Sequence, residues 1–190
     1  MHITTTSPYQ IVRAQAHHLS ALHNIELLAA TMLRGHAPES VLAETTPVEQ
    51  FHRVQQQGTL WVALLSATPV GFAHVEMLDA RHPHLDELDV LPDYGRRGIG
   101  SALVRTVVEW ARHAGFPDVT LSTFRSVPWN MPFYSKLGFT AMHGDELSAE
   151  LKAVVENESA RGLAANARVI MRYDLDKSHE EYFTEPTMPL

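Results

Sequence analysis

The chain has 190 residues, 45% apolar and 19% charged, which suits one folded domain and excludes disordered and collagen-like classes. It has no cysteine, so disulfides, thiolate catalysis, iron–sulfur clusters and cysteine-based zinc sites are excluded. Acidic residues outnumber basic ones by 22 to 15, which speaks against nucleic acid as a partner and weakly favours a cationic one. No apolar run approaches the roughly 18 residues of a membrane span. Met1–Tyr9 lacks the charged and apolar regions of a signal peptide. A cytoplasmic, non-membrane protein is expected.

Taken in order, Tyr9–Ala14 reads as a strand. Apolar residues at helical spacing predict a helix from His17 to Arg34, stopped by Gly35 and Pro38. Thr46-Pro47 opens a second helix, with Pro at its first position and Gly58 at its end. Thr59–Ser66 and Val70–Leu78 read as strands of an antiparallel hairpin linked by Ala67–Pro69. His82–His84 reads as a turn, and Leu85–Leu91 alternates apolar and acidic residues as a strand does. An amphipathic helix runs to His113 and ends on Gly115. Asp118–Phe124 is a strand, and Asn130 is placed as the N-cap of a short helix ending at Gly138. Phe139–Met142, Leu147–Arg161 and Ala167–Leu175 read as strand, helix and strand. One domain is expected over residues 1–175, with a polar tail at 176–190. The fold class is α/β, with a mixed, mostly antiparallel central sheet flanked by helices.

Gly95-Arg96-Arg97-Gly98-Ile99-Gly100 joins a strand to a helix start. Helix starts carry free N–H groups and partial positive charge, and they bind phosphates. Glycine admits close backbone approach, and two arginines add charge. The loop therefore reads as a pyrophosphate cradle, although an ordinary glycine-rich turn would use the same residues. It fits neither the dinucleotide-binding pattern nor the Walker pattern.

Leu88–Leu103 resembles the acyl-CoA-binding motif of the GCN5-related N-acetyltransferases, and Pro132–Phe139 resembles the second signature of that family. The spacing of the two segments and the element order agree with it. The resemblance implies direct transfer of an acetyl group from acetyl-CoA to an amine, without metal. It implies that the backbone of Leu88, Asp89 and Val90 binds the pantetheine arm and thioester carbonyl. Arg96, Arg97, Gly98, Ile99, Gly100 and Ser101 would wrap the pyrophosphate. Tyr134 matches the tyrosine that protonates the departing thiolate. Two departures stand out. Gly95 replaces a frequent Gln or Arg, and the usual asparagine falls at Val127. Asn130 then either touches CoA or caps its helix. Glu87 is the candidate general base, placed by alternation on one face with Leu85 and Asp89, and Glu76 is the alternative. The histidine pairs His17-His18 and His82/His84 show no metal-ligand pattern. Trp129 either walls the acceptor pocket or is core.

The expected function is N-acetylation of a small amine, with a protein or peptide acceptor and a non-catalytic acyl-CoA sensor as alternatives. A homodimer is compatible with the family.

Overall fold

The computed structural model describes residues 8–176. Positions 1–7 and 177–190, which take in nearly all of the predicted tail, lie outside them. Strand β1 (Tyr9–Arg13) is followed by helix α1 (Leu19–Ala30), which has a single 3-10 turn at each end, Ala16–His18 and Thr31–Leu33. Leu22 and Ile25 form its buried stripe. A four-residue helix, α2 (Glu39–Leu42), interrupts the loop after it. It is too short for hydrophobic periodicity to reveal. Helix α3 (Val48–Gln57) buries Phe51 and Val54 and ends on Gly58 at φ 72°. Pro47 is its N-cap in an extended conformation, one position earlier than predicted.

The strands β2 (Leu60–Leu65) and β3 (Thr68–Met77) form the predicted hairpin. The hairpin closes on Ser66 and Ala67, both at positive φ (47° and 69°), and Leu65 pairs with Thr68. This is the twist of a two-residue turn made without glycine, so the sequence places the turn one residue late. Strand β4 spans Pro83–Val90. Pro83 and His84, predicted as a turn, pair with Met77 and Glu76. Pro83 is tolerated because it is the first residue of the strand. The remaining elements are α4 (Ile99–His113), β5 (Asp118–Phe124), α5 (Asn130–Lys136), β6 (Thr140–Ala141), α6 (Ala149–Ala160) and β7 (Arg168–Asp174).

The seven strands form one sheet in the order β1-β2-β3-β4-β5-β7-β6. All neighbours are antiparallel except β4 and β5. Helix α4 covers one face, where Leu103, Val107 and Ala111 pack with Val75, Leu85 and Leu121. Helices α1 and α3 cover the other, where Leu22, Ile25 and Phe51 pack with Leu60, Val62 and Phe72. Each such side chain contributes roughly 1.5–3 kcal/mol by leaving water. A smaller cluster of Phe124, Val127 and Leu163 packs Leu33, Ala37 and Val41 from the α1–α3 connection. The expected mixed, mostly antiparallel sheet with flanking helices is the observed architecture.

Strand β4 carries two irregularities. In the ladder with β3, Glu87 pairs with His74 but Leu85 pairs with Val75, so Asp86 is a bulge. The bulge reverses the side-chain alternation at that point. Leu85 therefore faces the α4 layer, whereas Glu87 and Asp89 face α1 and α3. The predicted common face of Leu85, Glu87 and Asp89 is corrected to Glu87 and Asp89 alone. On its other side β4 pairs with β5 only at His84–Thr120 and Leu85–Leu121. Beyond that point the two strands part.

Candidate active site

The parting of β4 from β5 leaves one edge of β4, from Asp86 to Val90, without a strand partner among the described residues. The backbone of Leu88, Asp89 and Val90 borders this gap. The side chains of Leu88 and Val90 pack into the α4-side core. The Asp89 carboxyl goes to the opposite face.

After β4 the chain turns through Gly95 to Gly98, with Arg96 at φ 56° and Gly98 at φ 81°. Gly98 is the N-cap of α4 and supplies no side-chain cap. The first helical bond runs from the Ala102 N–H to the Gly98 carbonyl at 2.9 Å. The N–H groups of Ile99, Gly100 and Ser101 thus have no helical acceptor. The Ile99 side chain is buried and anchors the turn. A Cβ on Gly100 would lie 3.4 Å from Phe133, and one on Gly98 would lie 3.3 Å from the Tyr9 hydroxyl. The Arg97 guanidinium lies over the Tyr94 ring and donates to the Asp93 carbonyl at 3.0 Å. Arg96 is exposed. Free donors, a fifteen-residue helix dipole and two left-handed positions fit a pyrophosphate.

A cavity of about 740 Å³ opens on the α1 and α3 side of the sheet. It brings together Glu87, Leu88, Asp89, Asn130 and Tyr134 of the predicted residues. The loop Arg96–Ser101 does not line it, and neither do Glu76 and Trp129. Trp129 is 45% exposed and stands edge-on to His36. It also holds the N-cap position of α5, so Asn130 is the first helical residue rather than the cap. Glu76 Oε1 accepts from Gln50 Nε2 at 2.9 Å and Arg53 at 2.5 Å, with His74 Nε2 at 3.2 Å. The His74 contact foremost, with the other donors, holds this carboxyl down at about 2.

Glu87 is in different company. Thr46 Oγ1 lies 2.8 Å from Glu87 Oε2 and 2.6 Å from Glu26 Oε1, which also accepts from the Thr46 N–H at 2.8 Å. Burial, then the charges of Asp89 and Glu26, push the Glu87 carboxyl well above the ordinary carboxylate range. Burial first, then the Glu26 charge, raise Asp89 to about 7, although a hydrogen bond with Glu87 opposes the rise. Burial, with the Asp89 charge second, raises the Tyr134 phenol above its ordinary value. The ring of Tyr134 is set by edge contacts with Phe133 and Phe139 at 4.9 and 5.9 Å. The sequence alone does not single out Glu26 and Thr46. The one signal it offers is a carboxyl beside Leu22 and Ile25 on the buried stripe of α1.

The far wall carries two arginines, each already paired. Arg168 donates to Glu158 from both Nε (3.0 Å) and a terminal nitrogen (2.6 Å), and Ser122 donates to the same carboxylate at 2.8 Å. Arg161, at the end of α6, pairs with Glu44 of the α2–α3 loop at 2.5 Å. Of the histidines, His82 pairs with Asp79, while His84 is buried against the Thr120 hydroxyl and its pKa is lowered by that burial. Among the described residues no group of three His, Asp or Glu side chains could hold a metal ion, and no helix is long and apolar enough to cross a membrane.

The profile of the family described as acetyltransferase (GNAT) matches residues 19–139. N-acetyltransferase family 8 member 7 of Mus musculus is 25% identical over 126 residues, 64% of this chain and 56% of that protein. The chain thus spans about half the length of this curated relative. Among solved structures, the PaiA N-acetyltransferase of Thermoplasma acidophilum in complex with coenzyme A aligns with a TM-score of 0.67 at 16% identity, covering 87% of this chain and 98% of that one. Rv2747 of Mycobacterium tuberculosis, in complex with CoA, aligns with a TM-score of 0.63 at 21% identity, covering 87% of this chain and 98% of that one. At such identities these two likenesses speak to the fold.

Proposed function

The chain belongs to the acetyltransferase (GNAT) family, and on that footing we propose that it transfers the acetyl group of acetyl-CoA to a primary amine of a small acceptor. The observation that carries the reading is the convergence of Glu87, Asp89 and Tyr134 on one cavity beside the parted strands. Acetyl-CoA, when bound, supplies an electrophilic thioester carbonyl and a thiol leaving group. Three groups of residues would hold it. The exposed edge of β4 at Leu88–Val90 offers strand-like hydrogen bonds to the pantetheine arm. A backbone N–H near Val90 polarises the carbonyl as a small oxyanion hole. The turn Arg96–Ser101 takes the pyrophosphate.

The acceptor reaches the protein as an ammonium ion and must lose a proton before its nitrogen can attack. The neighbouring carboxyls of Glu87 and Asp89, on one face of β4, take that proton, and the two titrate together. A base near 7 is matched to work at neutral pH. As the new N–C bond forms and the C–S bond breaks, Tyr134 gives its phenolic proton to the sulfur. Its raised pKa keeps that proton in place until a thiolate, formed in the same dry surroundings, demands it. The tyrosine is recharged from the amide nitrogen's second proton. Asn130 lines the same cavity and is assigned to the bound substrates rather than to its helix.

A small acceptor is favoured over a protein because the Glu44–Arg161 pair ties the α2–α3 loop to α6 beside the cavity. The test is release of CoA from acetyl-CoA against a panel of amines and peptides, read with a thiol reagent. The cysteine-free chain gives no background. Acetylation of small amines supports the reading. Turnover with peptides alone moves the acceptor class to proteins, and acetyl-CoA binding without any turnover moves the function to sensing.

A further inference from the structure

The acidic end of the cavity holds more carboxyl groups than the transfer reaction uses. The Thr46 hydroxyl links Glu26 to Glu87, and Asp89 stands beside Glu87 on the same face of β4, completing a file of three carboxyls. Among the described residues no Lys, Arg or His nitrogen lies within 4.0 Å of any of the three. The two arginines of the cavity wall are spent on Glu44 and Glu158. No donor set for a metal ion is present among the described residues. Glu26 lines the cavity at 5% exposure, and its Oε2 is buried with no hydrogen-bond partner.

One hydroxyl carries one hydrogen. Thr46 Oγ1 makes two short contacts with carboxyl oxygens, at 2.6 and 2.8 Å. It can donate in only one of them, so the other needs a proton on Glu26 or Glu87. The carboxyl file therefore holds a proton where the protein supplies no counter-charge. An uncompensated buried carboxylate is costly, and either a proton or a bound cation relieves it. Deprotonation of the reacting amine occupies one carboxylate. The remaining negative charge has no task in the reaction.

Resting on the N-acetyltransferase reading, we propose that the acceptor is a small organic cation with at least two basic nitrogens and no carboxylate. One nitrogen reacts beside Asp89 and Tyr134, and the charge of the second is balanced by Glu26. A free carboxylate on the acceptor would be repelled by the same file, so free amino acids are selected against.

The test uses three acceptors of equal chain length: 1,4-diaminobutane, 1-aminobutane and 4-aminobutanoate. The expected kcat/KM for the diamine exceeds that of the monoamine by about ten-fold or more, and that of the amino acid by about a hundred-fold or more. Glu26→Gln is expected to shrink the diamine-to-monoamine ratio toward one. A second readout needs no turnover. Calorimetry of 1,4-diaminobutane binding to the acetyl-CoA-free protein, in buffers of different ionisation heats, should show proton release and tighter binding than 1-aminobutane. Equal kcat/KM for diamine and monoamine, or preference for the amino acid, overturns the proposal. Failure of every amine to turn over while the diamine still binds in preference sinks the acetyltransferase reading and leaves the dication site standing. Binding without preference for the diamine overturns the site itself.

Discussion

Leu85 and Glu87 stand on opposite faces of β4, with Leu85 opposite Val75 and Glu87 opposite His74. The extra residue between them, Asp86, delivers Glu87 and Asp89 together to the α1 and α3 side. There they meet Glu26 and Thr46 at the acidic end of the cavity. The gathering of these carboxyls at one end of the cavity is thus a product of one bulge and one buried helix residue.

The rate should carry the signature of that pair. With Asp89 raised to about 7, kcat/KM should rise with pH up to about 7 and then level. Glu26, Glu87 and Tyr134 are the titratable groups that face it. Asp89→Asn should remove that limb and lower turnover by about 10²–10⁴-fold. Stability should move the other way. A carboxyl raised from 3.8 to about 7 contributes stability fully below its unfolded value and loses it as pH rises through the folded one. Asp89→Asn should therefore melt higher than wild type at about pH 8 and not at about pH 4. Thermal melts at the two pH values decide this, and an unshifted rate profile would remove Asp89 from the base.

Tyr134→Phe should leave acetyl-CoA affinity intact and lower turnover by about 10²–10⁴-fold. The hydroxyl alone is lost, and the ring contacts with Phe133 and Phe139 survive. Calorimetry and steady-state rates separate the two effects. A wild-type rate would mean that the thiolate takes its proton from the acidic pair or from water.

The parts legible in the sequence are those made by backbone. The turn into α4 passes through positive φ, and Gly98 stands there as the sequence places it. The tyrosine segment has its apolar and aromatic residues at fixed helical spacing. The parts that stayed hidden are joined only by tertiary contact. Thr46 meets Glu26 and Glu87 from a loop that gives no local signal, and the bulge at Asp86 leaves the alternation of β4 looking regular on paper. The turn at Ser66-Ala67 hides for a third reason, since it adopts a glycine conformation without glycine.

Glu76 offers a control on the base assignment. Its carboxyl is held at about 2 by His74, Arg53 and Gln50. A carboxyl depressed from 4.5 contributes stability above that value and loses it as pH falls toward the folded one. Glu76→Gln should cost on the order of 1–3 kcal/mol at neutral pH, with the gap shrinking below about pH 4.5 and closing only toward about pH 2. Turnover should stay within a few-fold of wild type, because Glu76 does not line the cavity. A fall of about a hundred-fold or more, with the fold intact by circular dichroism, would make Glu76 the base after all.

Gly98 tests the cradle. Its φ of 81° suits glycine, and an added Cβ would meet the Tyr9 hydroxyl at 3.3 Å. Two substitutions separate backbone strain from charge. Gly98→Ala carries the strain alone, about 1 kcal/mol, and should weaken CoA binding modestly. Gly98→Glu adds a carboxylate where free N–H groups and the α4 dipole await an anion, and should abolish binding. Calorimetric titration with CoA distinguishes them, because only the charged variant should fail at low salt, where repulsion between like charges is least screened. Should raising the salt leave the Glu variant as weak as before, strain rather than charge would be the cause. If both variants bind CoA as wild type does, the pyrophosphate lies elsewhere than at the start of α4.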